Sequence, residues 1–165
     1  MHPNPTFRGA AAETNLAFAA KRGFGLLSVN GAEGPLAAHV PFVCAKDGAV
    51  EMHLVRSNPI ARTEGPIPAL LAVQGPDAYI SPDWYGAADQ VPTWNYIAVH
   101  LRGALITMPS DALEPHLHAV SDRFEATLLP KLNKRRKIRA ASKKSSSPPS
   151  AAARTSATSP SPSRR

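Results

Sequence analysis

The feature that most constrains the fold of this chain is a series of short apolar runs divided by turn-forming residues. Two of the dividers, Asn30-Gly31 and Asp47-Gly48, are dipeptides that favour tight hairpins. Strands at this spacing predict an antiparallel barrel or sandwich rather than parallel βαβ units. The runs are Gly23–Val29, Leu36–Cys44, Ala49–Val55, ALLAVQG with the following AYIS, and Asn95–Met108.

Two helices are predicted to flank these strands. Ala10–Arg22 is alanine-rich, has Lys21 and Arg22 in its last turn, and is followed by Gly23, a common helix stop. The second helix continues almost to residue 130 and has Pro115 in its first turn. Its apolar stripe consists of Leu113, Leu117, Val120, Phe124 and Leu128.

The sequence lacks the motifs of several common enzyme classes. There is no nucleophile elbow, phosphate-loop glycine motif, HExxH pair or CxxC pair, which disfavours a hydrolase, an NTPase or a zinc enzyme. His116 and His118 lie about 200° apart around the second helix, so they cannot share a metal and are predicted to be surface histidines. We therefore assign no catalytic residue and no metal ligand.

The net charge of +7 conceals a division near residue 130. Residues 1–130 hold eight basic and twelve acidic side chains, a balance of −4, whereas residues 131–165 hold eleven basic side chains and no acidic one. Leu132 and Ile138 are the only large apolar residues of the second segment, so burial cannot offset its chain entropy. We predict one domain, 1–130, and a disordered basic tail, 131–165.

Three further features indicate a cellular location. Cys44 is the single cysteine, which excludes an internal disulfide and fits a reducing compartment. The opening residues MHPNPTFRG lack a charged start followed by an apolar run, so no signal peptide is expected. No stretch approaches the roughly 18 uninterrupted apolar residues of a membrane span. A soluble cytoplasmic protein is predicted.

The window Gln74–Tyr96 is rich in both aromatic residues and proline. Both tryptophans and all three tyrosines of the chain fall inside it, together with three prolines. The prolines disfavour a core strand because each removes an N–H donor, and the rings disfavour a disordered linker. The window is predicted to be an ordered loop between two strands, either a binding loop or a cap over the core.

The strongest polar cluster is HLVRSNP, at the end of a predicted strand. His53, Arg56 and Asn58 offer an imidazole, a guanidinium and an amide where the strand opens into a turn. An arginine fork donates two parallel hydrogen bonds to phosphate oxygens, although a solvated surface charge is the more frequent role. His39, inside an apolar run, has two interpretations as well: a ligand contact or a satisfied core imidazole.

Four segments follow one another along the chain: HVPF (His39–Phe42), HLVRSNP (His53–Pro59), QGPDAYISPDWY (Gln74–Tyr85) and VPTWNY (Val91–Tyr96). In this order they resemble the successive signatures of the PaiB-type FMN-binding negative transcriptional regulators. The resemblance extends from about His2 to about Leu129 and includes the opening HPNPTFR. It implies a split β-barrel like that of pyridoxamine phosphate oxidase-like flavoproteins, usually a homodimer with FMN at the subunit interface.

The resemblance also implies a flavin site and a function. The family's repressor role, with DNA as a partner, extends to this chain by resemblance alone, because no helix-turn-helix pattern is visible. The alternatives are a flavin-dependent oxidoreductase of the pyridoxamine phosphate oxidase-like group and a non-functional truncated relative. The implied site has His39, Val40 and Pro41 along the ring system, His53, Leu54, Arg56 and Asn58 near the ribityl phosphate, and Tyr85, Trp94 and Asn95 closing the pocket, from the same or the other subunit.

The tail departs from the family pattern. Relatives continue after LLPK with another helix and a closing strand that ends in a KLSQN-like motif, and residues 131–165 resemble neither. Runs of Ala, Arg, Ser and Pro suggest an out-of-frame reading of GC-rich DNA or a degraded C-terminus, with a genuine basic tail as the rival explanation. A barrel strand is then expected to be missing. The eleven cations predict sequence-independent contact with nucleic-acid phosphates, against the alternative of no selected role.

Overall fold

The structure, a computed structural model, describes residues 4, 10–45, 47–86, 89–126 and, for the backbone alone, 151–157. These residues form a closed antiparallel barrel of six strands with two α-helices packed against it. The predicted mainly β, antiparallel split barrel with flanking helices is confirmed. The elements are α1 (Ala12–Arg22), β1 (Phe24–Gly31), β2 (Gly34–Cys44), β3 (Ala49–Leu54), β4 (Ile67–Ile80), β5 (Thr93–Thr107), α2 (Leu113–Glu125) and β6 (Ala151–Ala157).

The hydrophobic core fills the interior of the barrel, whose strands follow the order β1-β2-β3-β6-β5-β4. Side chains alternate between the two faces of each strand, so Val50, Met52 and Leu54 of β3 are buried while Glu51 and His53 lie on the other face. Each large apolar side chain that is fully removed from water stabilises the fold by about 1.5–3 kcal/mol. The largest such side chains are Phe42, Leu27, Met52 and Leu71.

Helix α1 ends where the sequence predicts. Gly23 has a φ of 59°, a left-handed conformation that L residues rarely adopt, and its N–H donates to the Ala19 carbonyl over 2.8 Å. A Cβ atom at Gly23 would also lie 2.7 Å from Cζ of Phe124 on α2. The glycine therefore serves both the helix end and the close packing of the two helices.

One of the two predicted hairpin dipeptides forms the turn and the other does not. Asp47-Gly48 turns the chain between β2 and β3, with the Asp47 carboxylate accepting from the Ala49 N–H over 3.1 Å. The prediction for Asn30-Gly31 is wrong, because the β1–β2 ladder continues through the pair Gly31↔Gly34. The turn consists of residues 32–33 instead, so the dipeptide lies at the end of the ladder.

The predicted aromatic loop is shorter than the window, because both flanking strands extend into it. Strand β4 passes through Gly75 and Pro76 at a register shift between Gln74 and Asp77, where the missing N–H of proline is tolerated. Beyond the shift the two strands pair again, from Asp77↔Tyr96 to Ile80↔Thr93. We call residues 77–96 the arm; residues 87 and 88 lie outside the described part of the chain.

The tail prediction needs a correction at residues 151–157. Their backbone forms β6, which pairs with β3 from Ala49↔Ser156 to Leu54↔Ala151 and with β5 along its other edge. The expected missing strand position is therefore filled. The prediction considered only the apolar surface of the segment, whereas the facing edges of β3 and β5 offer backbone hydrogen bonds to any residue type except proline. Disorder elsewhere in 131–165 concerns residues that the structure does not describe.

Helix α2 packs on the outer surface of β2, β3 and β6. The Arg123 guanidinium donates to the carbonyls of Ala20 and Lys21 at the end of α1, over 3.0 and 3.3 Å. The predicted stripe is wrong at Leu117, which is 37% exposed, and at His116, which is buried in its place; Leu128 lies outside the described residues. None of the helices that the structure describes has the length and apolarity needed to cross a membrane.

Candidate functional site

The HVPF segment of β2 presents its residues to both faces of the barrel wall. Val40 is buried in the core, so only its backbone is available on the outer surface. His39 is exposed, which excludes the core-imidazole interpretation, and Pro41 follows it on the same outer face. The His39 ring stacks on Phe24 of β1, with centroids 6.1 Å apart and planes inclined by 17°. The outer surface thus carries a flat, solvent-accessible aromatic pair.

The next group of predicted residues surrounds the end of β3. Leu54 is buried in the core, so like Val40 it offers only backbone to the outside. His53 lies on the outer face of the strand, under helix α2. The register Phe42↔Met52 sets this end of β3 beside the middle of β2. The β2 and β3 groups are therefore neighbours on one side of the barrel.

The turn after β3 exposes Val55, Arg56 and Ser57. Asn58 is the remaining predicted residue here. Its side-chain carbonyl oxygen accepts a hydrogen bond from the Ile60 N–H over 2.9 Å and so caps a short 3₁₀ turn over Pro59–Arg62. Ile60 is 2% exposed and anchors that turn in the core. Asn58 therefore holds the shape of the turn, while Arg56 and Ser57 present a cation and a hydroxyl to solvent.

The third group lies on the arm. Trp94 is 59% exposed and contacts Tyr79 edge to face, with ring centroids 6.1 Å apart. Tyr85 and Asn95 are exposed as well. Since β1 and β6 separate β2–β3 from β4–β5 in the barrel order, the arm belongs to a different side of the barrel from the first two groups. The structure thus assembles the ten predicted residues into two separate sets.

A polar cluster between β3 and α2 was missed by sequence reasoning. The Nδ1 atom of His53 lies 3.2 Å from Nε2 of His116, with the rings edge to face. The Nδ1 atom of His116 lies 3.9 Å from a carboxylate oxygen of Glu51. The prediction that His116 is a surface residue is wrong, since His116 is only 3% exposed. Its spacing from Leu113 and Val120 is the signal that could have shown it on the buried face.

Burial governs the protonation of this cluster. It lowers the pKa of His116 to about 4, with a further contribution from the neighbouring His53. Burial also lowers the pKa of His53. Both rings are therefore neutral at pH 7, and the 3.2 Å contact is a hydrogen bond between one protonated and one bare ring nitrogen. Among the described residues, no three or more His, Cys, Asp or Glu side chains are grouped so that they could hold a metal ion.

A cavity of about 680 Å³ opens on another part of the barrel surface, along β1, β4 and β5. Its polar walls include Ser28, Asn30 and Arg102, and none of the ten predicted residues lines it. Arg102 is the only Lys, Arg, Asp or Glu of β5, and this isolated charge was the available sequence signal. The cavity lacks the neighbouring aromatic pair and the exposed basic turn, so we regard the β2–β3 surface as the better candidate for a flavin.

The chemistry of the β2–β3 surface fits FMN. A flavin needs a planar contact for its ring system and hydrogen-bond donors for a doubly charged phosphate. The Phe24–His39 pair supplies a planar contact for the ring system. The exposed Arg56 and Ser57 supply hydrogen-bond donors for the phosphate. The capped turn at Asn58 holds these donors in a defined backbone shape. The side chains present are therefore suited to the group that the sequence resemblance implies.

Comparisons with known proteins support the same family. A family model described as "Putative FMN-binding domain" matches residues 1–147. The protease synthase and sporulation protein PAI 2 of Bacillus subtilis is 33% identical over 123 residues, 72% of this chain and 59% of that protein. An uncharacterized protein of Saccharomyces cerevisiae is 31% identical over 116 residues, 64% of this chain and 69% of its own length. This chain thus spans about three fifths of the Bacillus relative.

The fold is also similar to a solved structure. The FAD and heme binding protein from Mycobacterium smegmatis superimposes with a TM-score of 0.60 over 90% of this chain and 67% of that chain. The two sequences are 17% identical, so this likeness concerns the fold. The sequence matches therefore show the family, and the superposition shows a shared fold.

Proposed function

This chain belongs to the PaiB-type FMN-binding family, and on that premise we propose a location for the cofactor, a subunit arrangement and a regulatory role. FMN is the cofactor that the family assigns to it. In this proposal the chain acts as a homodimeric, cytoplasmic negative transcriptional regulator. Each dimer binds two FMN molecules, each at a site formed by residues of both subunits. The observation that carries the proposal is the exposed basic turn at 55–57 beside an exposed, stacked aromatic pair on β2 and β1.

In the proposed site, Arg56 and Ser57 bind the phosphate. The guanidinium donates charge-assisted hydrogen bonds, and Ser57 adds a neutral one. Asn58 acts as a positioning residue, because its side chain is committed to the Ile60 N–H and so sets the direction of the turn. His53 adds an imidazole beside the turn, although its Nδ1 is already bound to His116.

The ring system would lie on the part of the outer surface that α2 leaves exposed, around His39, Pro41 and Phe24, with backbone contacts from Val40 and Leu54. Stacked and offset aromatic contacts are worth about 0.5–1.5 kcal/mol each beyond the area that they bury. When bound, FMN supplies reversible one- and two-electron chemistry. The residues of this surface bind, orient and shield it from water.

The homodimer is proposed because the arm has exposed apolar surface that its own barrel does not cover. Six large apolar residues of the arm, and Ile97 directly after it, are 46–79% exposed: Tyr79, Trp84, Tyr85, Val91, Trp94, Tyr96 and Ile97. Large amounts of exposed apolar surface are typical of interaction sites in soluble proteins. We propose that the arm of one copy, through Tyr85, Trp94 and Asn95, covers the β2–β3 surface of the second. This arrangement would unite the two sets of residues that one chain keeps apart.

The regulatory role is supported by similarity to the Bacillus sporulation protein, of which this chain covers only part. A regulator should bind a defined promoter fragment more tightly than unrelated DNA of the same length. An oxidoreductase should instead consume NAD(P)H with a flavin and an acceptor, and show no preference among DNA sequences. Titrating both activities on one preparation separates these two functions, and equal affinity for all DNA would contradict the repressor proposal.

Cofactor binding is tested by following FMN fluorescence while the full chain is added. Wild-type protein should quench the fluorescence, and Arg56→Ala should weaken binding by about 10- to 100-fold through loss of a charge-assisted phosphate contact. Arg62→Ala, an exposed arginine on the following 3₁₀ turn, is the matched control and should bind as wild type. Equal losses in both variants would show a general charge effect and would count against a phosphate site at 56.

The subunit arrangement is tested by measuring mass in solution across a range of protein concentrations. Trp94→Ser should raise the dimer dissociation constant at least tenfold, because an exposed aromatic anchor of an interface is removed. Ile106→Ser is the control, since this residue lies on the same strand outside the arm and is 45% exposed. A monomeric wild type, or a dimer indifferent to Trp94, would contradict the proposed contact.

A further inference from the structure

Helix α2 is attached to β3 through a partly buried contact between two imidazoles, His116 being the buried one. His53 Nδ1 and His116 Nε2 are 3.2 Å apart, and a hydrogen bond at that distance needs one N–H and one bare nitrogen. A doubly protonated imidazole has no bare ring nitrogen. If both rings carry a proton on each nitrogen, two N–H groups and two positive charges face each other, and the contact becomes repulsive.

We propose that the His53–His116 contact is an acid-sensitive clasp that holds the N-terminal half of α2 on β3 at neutral pH and releases it in mild acid while the barrel stays folded. The clasp consists of His53, His116 and Glu51. It does not depend on the proposed flavin site, because all of its contacts are present in the chain alone.

The charged groups around the clasp do not neutralise two added protons. Glu51 lies 3.9 Å from His116 Nδ1, so its carboxylate favours one proton on that ring. On the β6 side the backbone register partner of Glu51 is Arg154. On the β2 side the register partner of Glu51 is Val43, which has no charge. On α2, Glu114 pairs with the exposed His118.

The direction of the pH effect follows from burial. Because burial lowers the pKa of His116 to about 4, the released helix binds a proton more readily than the docked one between pH 4 and its ordinary range. Docking is therefore fully favoured above that range and is lost as the pH falls. From an ordinary value near 6.5, this linkage shifts the docked-to-released ratio by about 30-fold between pH 7.5 and pH 5.

Two other attachments of α2 do not titrate in this range. Arg123 bonds to the carbonyls of Ala20 and Lys21, and the Phe124 ring packs over Gly23. These contacts lie in the last turn of the helix and join it to the end of α1. Acid should therefore loosen the first turns of α2, around residues 113–120, while the last turn and the barrel keep their contacts.

The test is amide hydrogen exchange of the full, flavin-free chain at pH 7.5 and pH 5, with rates divided by those of the matching free peptides. Corrected protection in residues 113–120 should fall by about 30-fold at pH 5 in wild type and in His118→Gln, the matched control on the same helix. His116→Leu should largely abolish this response, because Leu cannot take a proton. His53→Gln should reduce it.

Two results would overturn the clasp. The first is an acid response in His116→Leu equal to that of wild type. The second is a parallel loss of protection in β1 and β4, which would mean that acid unfolds the whole barrel. Should His116→Leu fail to fold, His116→Gln keeps a polar partner for His53 without a titrating group, and an unchanged acid response in it would likewise contradict the proposal.

Discussion

The hairpin β4–β5 has two halves that differ in burial: the half in the barrel wall buries its large side chains, and the arm exposes them. Before the register shift at Gln74–Asp77, Leu71 and Val73 of β4 and Val99 of β5 are at most 7% exposed. Beyond the shift, Tyr79 and Trp94 are 46% and 59% exposed, although their side chains are larger than those of Leu71, Val73 and Val99. The two strands pair again beyond the register shift, but only the first half lines the interior of the barrel.

This difference teaches that backbone pairing and burial are separate requirements. A two-stranded ribbon satisfies its N–H and C=O groups without burying either face. The arm therefore keeps large rings at the surface, where they pack on each other and remain available to a second molecule. The barrel half stabilises the fold, and the arm half is the part of the hairpin that we assign to recognition.

The largest expected effect comes from the barrel half. Leu71→Ala removes a side chain that is 1% exposed and leaves a cavity in a closed wall, which should destabilise the protein by about 2–5 kcal/mol. Urea unfolding followed by far-UV circular dichroism measures this change. A loss below about 1 kcal/mol would mean that the barrel wall collapses onto the space and would weaken the contrast between the halves.

A smaller effect is expected at the junction of the halves. A Cβ at Gly75 would lie 2.7 Å from Cζ of Phe18 on α1 and 3.0 Å from Cβ of Ile97, so Gly75→Ala should cost about 1–3 kcal/mol through overpacking. Phe18→Leu in the same chain should recover part of that loss, because the ring that meets the new methyl group is shortened. Additive losses in the double variant would show that the two residues are not in conflict.

The smallest effect is expected in the arm. Tyr79→Ala removes a half-exposed ring that contacts Trp94 edge to face, so the free energy of unfolding should fall by no more than about 1 kcal/mol. The measurement is the same urea titration at a protein concentration that keeps the chain monomeric. A loss as large as that of Leu71→Ala would erase the distinction between a stabilising barrel and a recognising arm.

Local sequence signals predicted the elements whose causes are local. Lys21, Arg22 and Gly23 mark the end of α1 because the helix dipole and a left-handed glycine act within one turn. Asp47-Gly48 marks a hairpin for the same reason. The prediction of a turn at Asn30-Gly31 was wrong because the β1–β2 ladder continues through both residues. A dipeptide does not indicate how far two strands remain paired.

The candidate site was predictable in part. The strand-end position of Arg56 follows from the alternation of β3 and the proline after it, and the structure exposes that side chain. The inward positions of Val40 and Leu54 follow from the same alternation, which limits both to backbone contacts with a ligand. Phe24 as the stacking partner of His39 was not foreseeable, because the two residues meet only through the β1–β2 register.

The sequence by itself determined the antiparallel architecture, the end of the first helix, the family and its cofactor, since these follow from local periodicity, turn chemistry and ordered motifs. Only the tertiary structure decided that residues 151–157 close the barrel, that His116 lies buried against His53, and that the aromatic arm remains uncovered. Each of these depends on which edges and faces distant segments offer to one another. Hydrogen bonds and burial join segments that are distant in sequence, so the composition of one segment does not predict which partner it will meet.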